Sequence, residues 1–170
     1  MTLYRAQLRD KVAGLLRLTT EAQDNVFTCA DYPLTPDKLP AIFVTVPSEQ
    51  AQSNGRGTPD YTRTVDLEVT AKVSGGNPEV VQGQLDRIAE QIEMSVMCSA
   101  DIMSMVQQVS RIDTEQQMKA DSADYLGALR LTFGMEYTQE YPISGVPLTQ
   151  ISGDLTGTIA AGFVANLSQE

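Results

Sequence analysis

Apolar and polar residues alternate along two long segments of the chain. In the first, residues 61–73, the apolar positions are Val65, Leu67, Val69, Ala71 and Val73. In the second, residues 126–138, they are Leu129, Leu131, Phe133, Met135 and Tyr137. A two-residue period puts these side chains on one face of a strand, so we predict two half-exposed antiparallel strands. Gly134 interrupts the polar face of the second strand and indicates a bulge or a close neighbour.

Two other segments have the helical period. In residues 3–18 the apolar positions recur at three- and four-residue steps, at Leu8, Val12, Leu15 and Leu16, one turn after Tyr4. Residues 79–97 carry a longer stripe, consisting of Val81, Leu85, Ile88, Ala89, Ile92 and Val96. This stripe follows Asn77-Pro78, which is typical of an N-cap with proline at the first helical position. We therefore predict two amphipathic helices.

The remaining strand signals are shorter or less regular. AIFVTV, residues 41–46, is typical of a strand covered on both faces, and Val26-Phe27-Thr28 could form a short strand. Residues 103–117 are an irregular strand candidate, followed by a turn or loop at KADSAD. The predicted fold class is α+β, a mostly antiparallel sheet of about four to five strands with two helices on one face and a projecting β-arm.

The arm is predicted from SEQAQSNGRGTPDYTR, residues 48–63, which is long and polar for a connection between two strands. The strand after it would span roughly 43 Å at about 3.3 Å per residue, which is about twice the usual length. We predict that the two strands leave the sheet together and turn at NGRGTPD. Extended arms of this kind allow the subunits of rings and tubes to contact their neighbours.

The charge of the chain bears on its partners. Its 170 residues include 12 Lys and Arg against 22 Asp and Glu, a formal net charge of −10. This charge argues against specific DNA binding, which requires clustered cations, but it is compatible with DNA passing through a repelling channel. No apolar run approaches the ~20 residues of a membrane span, and the N-terminal segment lacks an uninterrupted apolar stretch. We therefore expect neither a signal peptide nor a membrane partner.

The candidate chemistry is sparse. The chain has no histidine, which removes the commonest general base and the usual zinc ligand. Asp113 and Glu115 would share one strand face, where solvated carboxylates are favoured over a metal or catalytic pair, and Asp121 and Asp124 are typical of a turn. The Gly-rich pieces lack the frame of a phosphate cradle. We predict no catalytic residue, cofactor or metal, and we expect that the chain is not an enzyme.

Cysteine and methionine are two further residue types that could take part in binding. Cys29 and Cys98 match no metal or redox spacing, and two reduced, buried thiols are favoured over a disulfide. The methionines at 94, 97, 103 and 105 lie close together in the sequence. Core filling is favoured over a methionine-lined groove.

The composition changes at Pro142. From there onward the sequence is rich in Gly, Ser and Thr and carries almost no charge. We predict one α+β domain over residues 1–141 and a C-terminal extension over residues 142–170.

Several local sequences follow one another in a characteristic order. They are LRDKVAGLL in the first helix, a loop ending in LPAIFVTV, the long polar excursion, YTRTVDLEVTAKV, LDRIAEQIEMSVM in the second helix, and DSADYLGALRLTFGMEY in the last strands. This order, over roughly residues 3–141, resembles the tail terminator proteins of long-tailed bacteriophages, the lambda-type minor tail protein U family. The specificity lies in order and spacing, because no single motif is diagnostic.

The resemblance implies a structural virion protein that caps the tail tube as a homohexameric ring. Such a ring ends tube polymerisation and offers its other face to a head–tail connector or completion protein, while DNA passes through the lumen without specific binding. The expected place is the head-proximal end of the tail, after assembly in the host cytoplasm. The residues expected to contact the tube or a neighbouring subunit are Gln52, Asn54, Arg56, Asp60 and Arg63. Asp66 and Glu68 are expected at a ring interface or in the lumen, where negative charge would keep DNA from adhering.

Other interpretations stay open at this point. A tail-tube or head–tail connector protein of related fold would have a similar sequence pattern, although a tube protein polymerises without limit. A small soluble enzyme using carboxylates or lysine would need a pocket where titratable groups converge. A host binding module could use residues 48–63 as its recognition loop. For the five residues from Gln52 to Arg63, a merely flexible loop is the simpler explanation. For Asp66 and Glu68, it is a solvated sheet face.

Overall fold

A five-stranded sheet with helices on one face forms the body of the protein. The computed structural model describes residues 3–29, 33, 35–57, 59–121, 124–142, 145, 150–155 and 161–166. The elements in chain order are α1 (Tyr4–Thr19), β1 (Val26–Phe27), a 3-10 turn (Pro36–Lys38), β2 (Ala41–Ser53), β3 (Asp60–Gly75), α2 (Pro78–Met97), α3 (Ala100–Met103), β4 (Gln108–Asp121), β5 (Asp124–Glu140), β6 (Gln150–Leu155) and β7 (Ala161–Asn166).

The strand order in the main sheet is β1-β2-β3-β5-β4. The short strand β1 is parallel to β2, and the other three pairs are antiparallel. The predicted α+β class with a mostly antiparallel sheet is therefore confirmed. Strands β6 and β7 pair with each other in a separate two-stranded sheet, within the segment predicted as a C-terminal extension.

Both long helices form where the apolar stripes predict them. The Asn77 side chain accepts a hydrogen bond from the Glu79 backbone N–H at 2.8 Å, and Pro78 is the first residue of α2. Such a cap satisfies a backbone donor that the helix itself leaves unpaired. The buried stripe of α2 consists of Val81, Leu85, Ile88, Ile92 and Val96, and that of α1 consists of Leu8, Val12, Ala13 and Leu16.

The core lies between these helices and one face of β3 and β5. Four pairs of predicted apolar positions lie directly opposite each other across the two strands, among them Val65 with Met135 and Leu67 with Phe133, and these residues are fully buried. Burial of each such side chain stabilises the fold by about 1.5–3 kcal/mol. Gly134 lies beside a register shift between Val109 and Arg111 in β4, which confirms the predicted bulge.

The strands are longer than the apolar pattern indicates. β2 continues to Ser53 and β4 continues to Asp121, so the predicted loop at KADSAD was wrong in its first half. Both additions are largely polar and exposed, and they form because backbone pairing with β3 and β5 satisfies their N–H and C=O groups. The four-residue helix α3 was not predicted.

The cysteines differ from the prediction, whereas most of the methionines agree with it. Cys29 and Cys98 are free thiols, but both are exposed, because one follows β1 in a loop and the other caps the end of α2. Met97, Met103 and Met105 pack partly buried against the core, while Met94 is exposed. Within the part of the chain that the structure describes, no helix combines the length and the apolar character needed to cross a membrane.

Candidate functional site

Strands β2, β3 and β5 continue past the first turn of α1 as a three-stranded extension of the sheet. This sheet extension consists of residues 50–53, 60–64 and 136–140. Pairing persists to its end, where Ser53 is opposite Tyr61 and Asp60 is opposite Glu140. β2 and β3 stay paired to their ends as predicted, but β3 also stays paired with β5, so the sheet itself extends here and the two strands do not leave it as a separate arm.

A polar cluster lies at the base of the sheet extension, on its helix-facing side. We call Arg5, Glu49, Arg63 and Tyr137 the Glu49 cluster. The Glu49 carboxylate accepts hydrogen bonds from Arg5 Nη1 at 2.8 Å and from the Tyr137 hydroxyl at 2.6 Å, and it is 3.1 Å from Arg63 Nη1. Its side chain is only 10% exposed. The cluster therefore links the first turn of α1 to all three strands of the sheet extension.

Aromatic rings complete this junction. The Tyr4 ring lies 4.4 Å from the Tyr137 ring, centroid to centroid, and the Tyr4 hydroxyl donates to the Met105 carbonyl at 2.7 Å. On the other side, Arg63 Nη2 donates to the Tyr141 hydroxyl at 2.6 Å, and Tyr141 meets Tyr61 edge to face. These contacts fix the orientation of the sheet extension relative to the helices.

The electrostatics of the Glu49 cluster stabilise its charged form. Burial works to raise the pKa of Glu49, but the hydrogen bonds from Tyr137 and Arg63 and the charge of Arg63 outweigh it, so this pKa lies below its usual value. Burial and the hydrogen bond to Glu49 raise the pKa of the Tyr137 hydroxyl. At neutral pH the cluster therefore contains a carboxylate, two guanidinium groups and a neutral phenol.

The tip of the sheet extension is exposed. Every residue from 51 to 57 is exposed, including the predicted interface residues Gln52, Asn54 and Arg56. Asn54 shapes the turn, because its backbone N–H donates to the Asp60 carbonyl at 3.0 Å and its side chain accepts from Thr62 at 2.8 Å. The structure therefore places these three predicted residues together on one accessible edge.

The other two predicted residues of this set lie deeper. Asp60 begins β3, and its Oδ1 atom is buried without a hydrogen-bond partner among the described residues. Arg63 is 19% exposed and belongs to the Glu49 cluster, so it already has an intramolecular role. Their contacts to a tube or to another subunit stay a prediction.

Asp66 and Glu68 lie on the opposite, polar face of the sheet. Asp66 accepts hydrogen bonds from Ser48 and from Arg111, which lower its pKa, and Glu68 lies 3.3 Å from Arg130 Nε. Arg111 and Arg130 also contact carboxylates of β4, at 3.2 Å from Asp113 and 3.7 Å from Glu115. This face therefore carries a network of ion pairs that extends from β3 across β5 to β4.

The two acidic residues that were considered for a metal or catalytic pair lie in this ion-pair network. Asp113 and Glu115 share the polar face as predicted, and both have arginine partners there. Among the described residues, no group of three or more acidic or cysteine side chains could hold a metal ion.

A depression of about 310 Å³ lies between α1 and α3. It is lined by Gly14, Leu15, Leu18 and Ile102, and Lys11 and Asp101 are paired at 3.0 Å beside it.

The comparisons with known proteins assign no family. No family model matches the sequence, and no curated protein matches it. Among solved structures, the chain is similar to a chain of a structure described as "Virion of native gene transfer agent (GTA) particle", with a TM-score of 0.35 and 8% identity. The similarity covers 74% of this chain and 92% of that chain. A likeness this distant identifies neither a family nor a function.

The Glu49 cluster was not predicted from the sequence, and β4 was predicted only as an irregular strand candidate over residues 103–117. The partners of Glu49 are 44 and 88 residues away along the chain, at Arg5 and Tyr137, so no local pattern connects them. The two-residue period does not indicate it either, because the register of β2 shifts between Thr45 and Ser48, and this irregularity puts Glu49 rather than Ser48 on the core-facing side. β4 is exposed at nearly every residue, which removes the apolar alternation that reveals a strand.

Proposed function

We propose that this chain is a structural virion protein, a tail terminator that closes into a hexameric ring on the end of a phage tail tube. The observation that carries the proposal is the sheet extension, whose base is fixed by the Glu49 cluster and whose tip is exposed from residue 51 to residue 57. A rigid projection with an exposed polar tip suits contact with another subunit, because little conformational entropy is lost when it binds.

The proposed role follows from this shape. The tip, with Gln52, Asn54 and Arg56, contacts the last ring of the tube or the next subunit. The remaining free face of the ring receives the head–tail connector or completion protein. No catalytic group takes part, and the protein acts by occupying the growing end of the tube.

The polar face fits the lumen of such a ring. Its acidic residues Asp66 and Glu68 are held by Arg111 and Arg130, so the face is ordered and highly polar. With a net charge of −10 the chain as a whole repels the DNA backbone. In the proposed virion, DNA therefore moves through the ring without specific binding.

Electron microscopy tests this function directly. The purified protein is mixed with tail-tube subunits from the phage that encodes it, and tube ends and tube lengths are recorded. We expect six-fold rings on tube ends and shorter tubes as the protein is added. Tubes of unchanged length with bare ends would overturn the proposal. Filaments that grow from the protein alone would instead identify a tube subunit.

A further inference from the structure

The main sheet has two edges without a partner strand in the described part of the chain. One is the outer edge of β4, which runs over Gln108–Asp121. The other is the outer edge of β2 past residue 43, because β1 pairs only with Ile42 and Phe43. Unpaired edges present rows of backbone N–H and C=O groups that can pair with another chain.

The two free edges lie at the same level of the sheet. The register runs from Val44 through Val69 and Leu131 to Thr114. It also runs from Gln50 through Thr64 and Glu136 to Gln108. Residues 44–50 on one edge therefore lie level with residues 108–114 on the other.

The strand directions are compatible as well. Because β2, β3, β5 and β4 are successively antiparallel, β4 runs opposite to β2. If a second copy in the same orientation is placed beside the first, its β2 lies antiparallel to β4. Antiparallel pairing is the slightly more stable arrangement per residue.

The side chains of β4 leave this edge accessible. Arg111 and Glu115 are held over the polar face by Asp66 and Arg130, rather than being free to cover the edge. On the helix-facing side, Ile112 is 37% exposed and Met118 is 41% exposed. On β2, Pro47 lies in a register irregularity between Thr45 and Ser48 and has no backbone N–H, so the remaining residues of 44–50 supply the donors of this edge.

We propose that β4 of one copy pairs antiparallel with residues 44–50 of β2 in the next copy, so that the sheets join around a ring. A second copy is the partner that the geometry favours, because each copy carries both edges at the same level. The contact is head to tail, and such contacts close into rings when the rotation per subunit allows it. This inference rests on the proposed ring and specifies its joint.

A cross-linking experiment tests the joint. Gln50→Cys and Gln108→Cys are introduced together after Cys29→Ser and Cys98→Ser, and the protein is treated with a short thiol-to-thiol reagent at rising concentration. Gln50 and Gln108 are exposed and share the polar face, so neighbouring copies should form covalent ladders. In the matched control the second cysteine is introduced at Lys119 instead of Gln108, about 35 Å further along the same strand. This variant should give no ladder.

A second pair of variants tests the same joint without cysteines. Ile112→Lys puts a charge level with the free part of β2, whereas Met118→Lys puts the same charge level with residues preceding β2. Charged residues on edge strands oppose pairing. We expect Ile112→Lys to reduce self-association at least tenfold and Met118→Lys to leave it unchanged, as measured by sedimentation. Circular dichroism verifies that both variants fold.

The outcomes separate this inference from the proposed function. Rings that cap tubes without 50–108 cross-links, and that tolerate Ile112→Lys, overturn the joint and leave the terminator role standing. Cross-linked ladders from a protein that ignores tubes support the joint and overturn the terminator role. A protein that stays monomeric at high concentration and on tubes overturns both.

Discussion

At the residue scale, the most consequential side chain is Glu49. It is nearly buried, and three donors from different parts of the chain converge on it. A carboxylate in this position would be costly without partners, because burial disfavours its charge. Because these donors pair with it, the Glu49 carboxylate stays charged and connects α1 to the sheet extension.

Glu49→Ala should destabilise the protein by about 2 kcal/mol, because Arg63 and Tyr137 lose their acceptor in a partly buried site. The measurement is the midpoint of urea unfolding. Gln50→Ala is the control, since Gln50 is exposed next to it and should change stability by less than about 0.5 kcal/mol. Equal midpoints for the two variants would show that the cluster contributes nothing.

Acid should weaken the fold through the same carboxylates. The pKa values of Glu49 and Asp66 are lower in the folded protein than their usual 4.5 and 3.8. Stability from these groups is therefore fully present above those usual values and is lost as the pH falls through the lowered, folded-state values. We expect the melting temperature to drop as the pH falls below 4.5 and to continue dropping below 3.8. Glu49→Gln should show a shallower drop, and parallel curves would contradict the assignment.

At the element scale, prediction from sequence succeeded where one face of an element is apolar. α2, β3 and β5 have clear periods, and their buried positions were predicted residue by residue. The outer part of β2 and nearly all of β4 have no such period, since both of their faces are polar or exposed. Their strand conformation comes from backbone pairing with distant segments, which a local pattern does not contain. The turn between β2 and β3 was predicted for a simpler reason, because turn residues are local signals.

The contact between α2 and β5 should be sensitive to a single methyl group. A Cβ at Gly127 would lie 2.7 Å from Val81 Cγ1 and 2.9 Å from Leu85 Cδ1, and both partners are fully buried. Gly127→Ala should therefore destabilise the protein by about 1–3 kcal/mol. Gly83→Ala is the matched control, because Gly83 lies in α2 with open space around it. It should stabilise by about 0.5–1 kcal/mol, and thermal unfolding of the two variants would reveal opposite shifts.

At the scale of the whole molecule, the structure separates a well-packed body from surfaces suited to other chains. The body contains the buried faces of α1, α2, β3 and β5. The surfaces are the tip of the sheet extension, the polar face and the β4 edge. In the proposed ring, the first contacts the tube, the second faces the DNA and the third joins neighbouring subunits.

Arg56→Glu tests the contact with the tube. Arg56 is exposed in the turn, so the variant should fold and melt like the unchanged protein while capping tubes about tenfold more weakly, equivalent to about 1.4 kcal/mol. Arg87→Glu, an exposed charge reversal on α2, should leave capping unchanged. Capping is measured by counting ringed tube ends in micrographs. Arg63→Glu, by contrast, should unfold at lower temperature, because it puts two carboxylates together in the Glu49 cluster.

The junction at Glu49 has a consequence for motion. Strand ends at the edge of a fold usually fray independently of nearby helices, and their amides exchange rapidly with solvent. Here the sheet extension and the first turn of α1 share one carboxylate, and the Tyr4 ring contacts the Tyr137 ring beside it. Local unfolding of the sheet extension should therefore require local unfolding of the first turn of α1, and the reverse. Native-state hydrogen exchange should therefore show the amides of residues 62–64, of 136–138 and of the N-terminal turns of α1 exchanging as one cooperative unit.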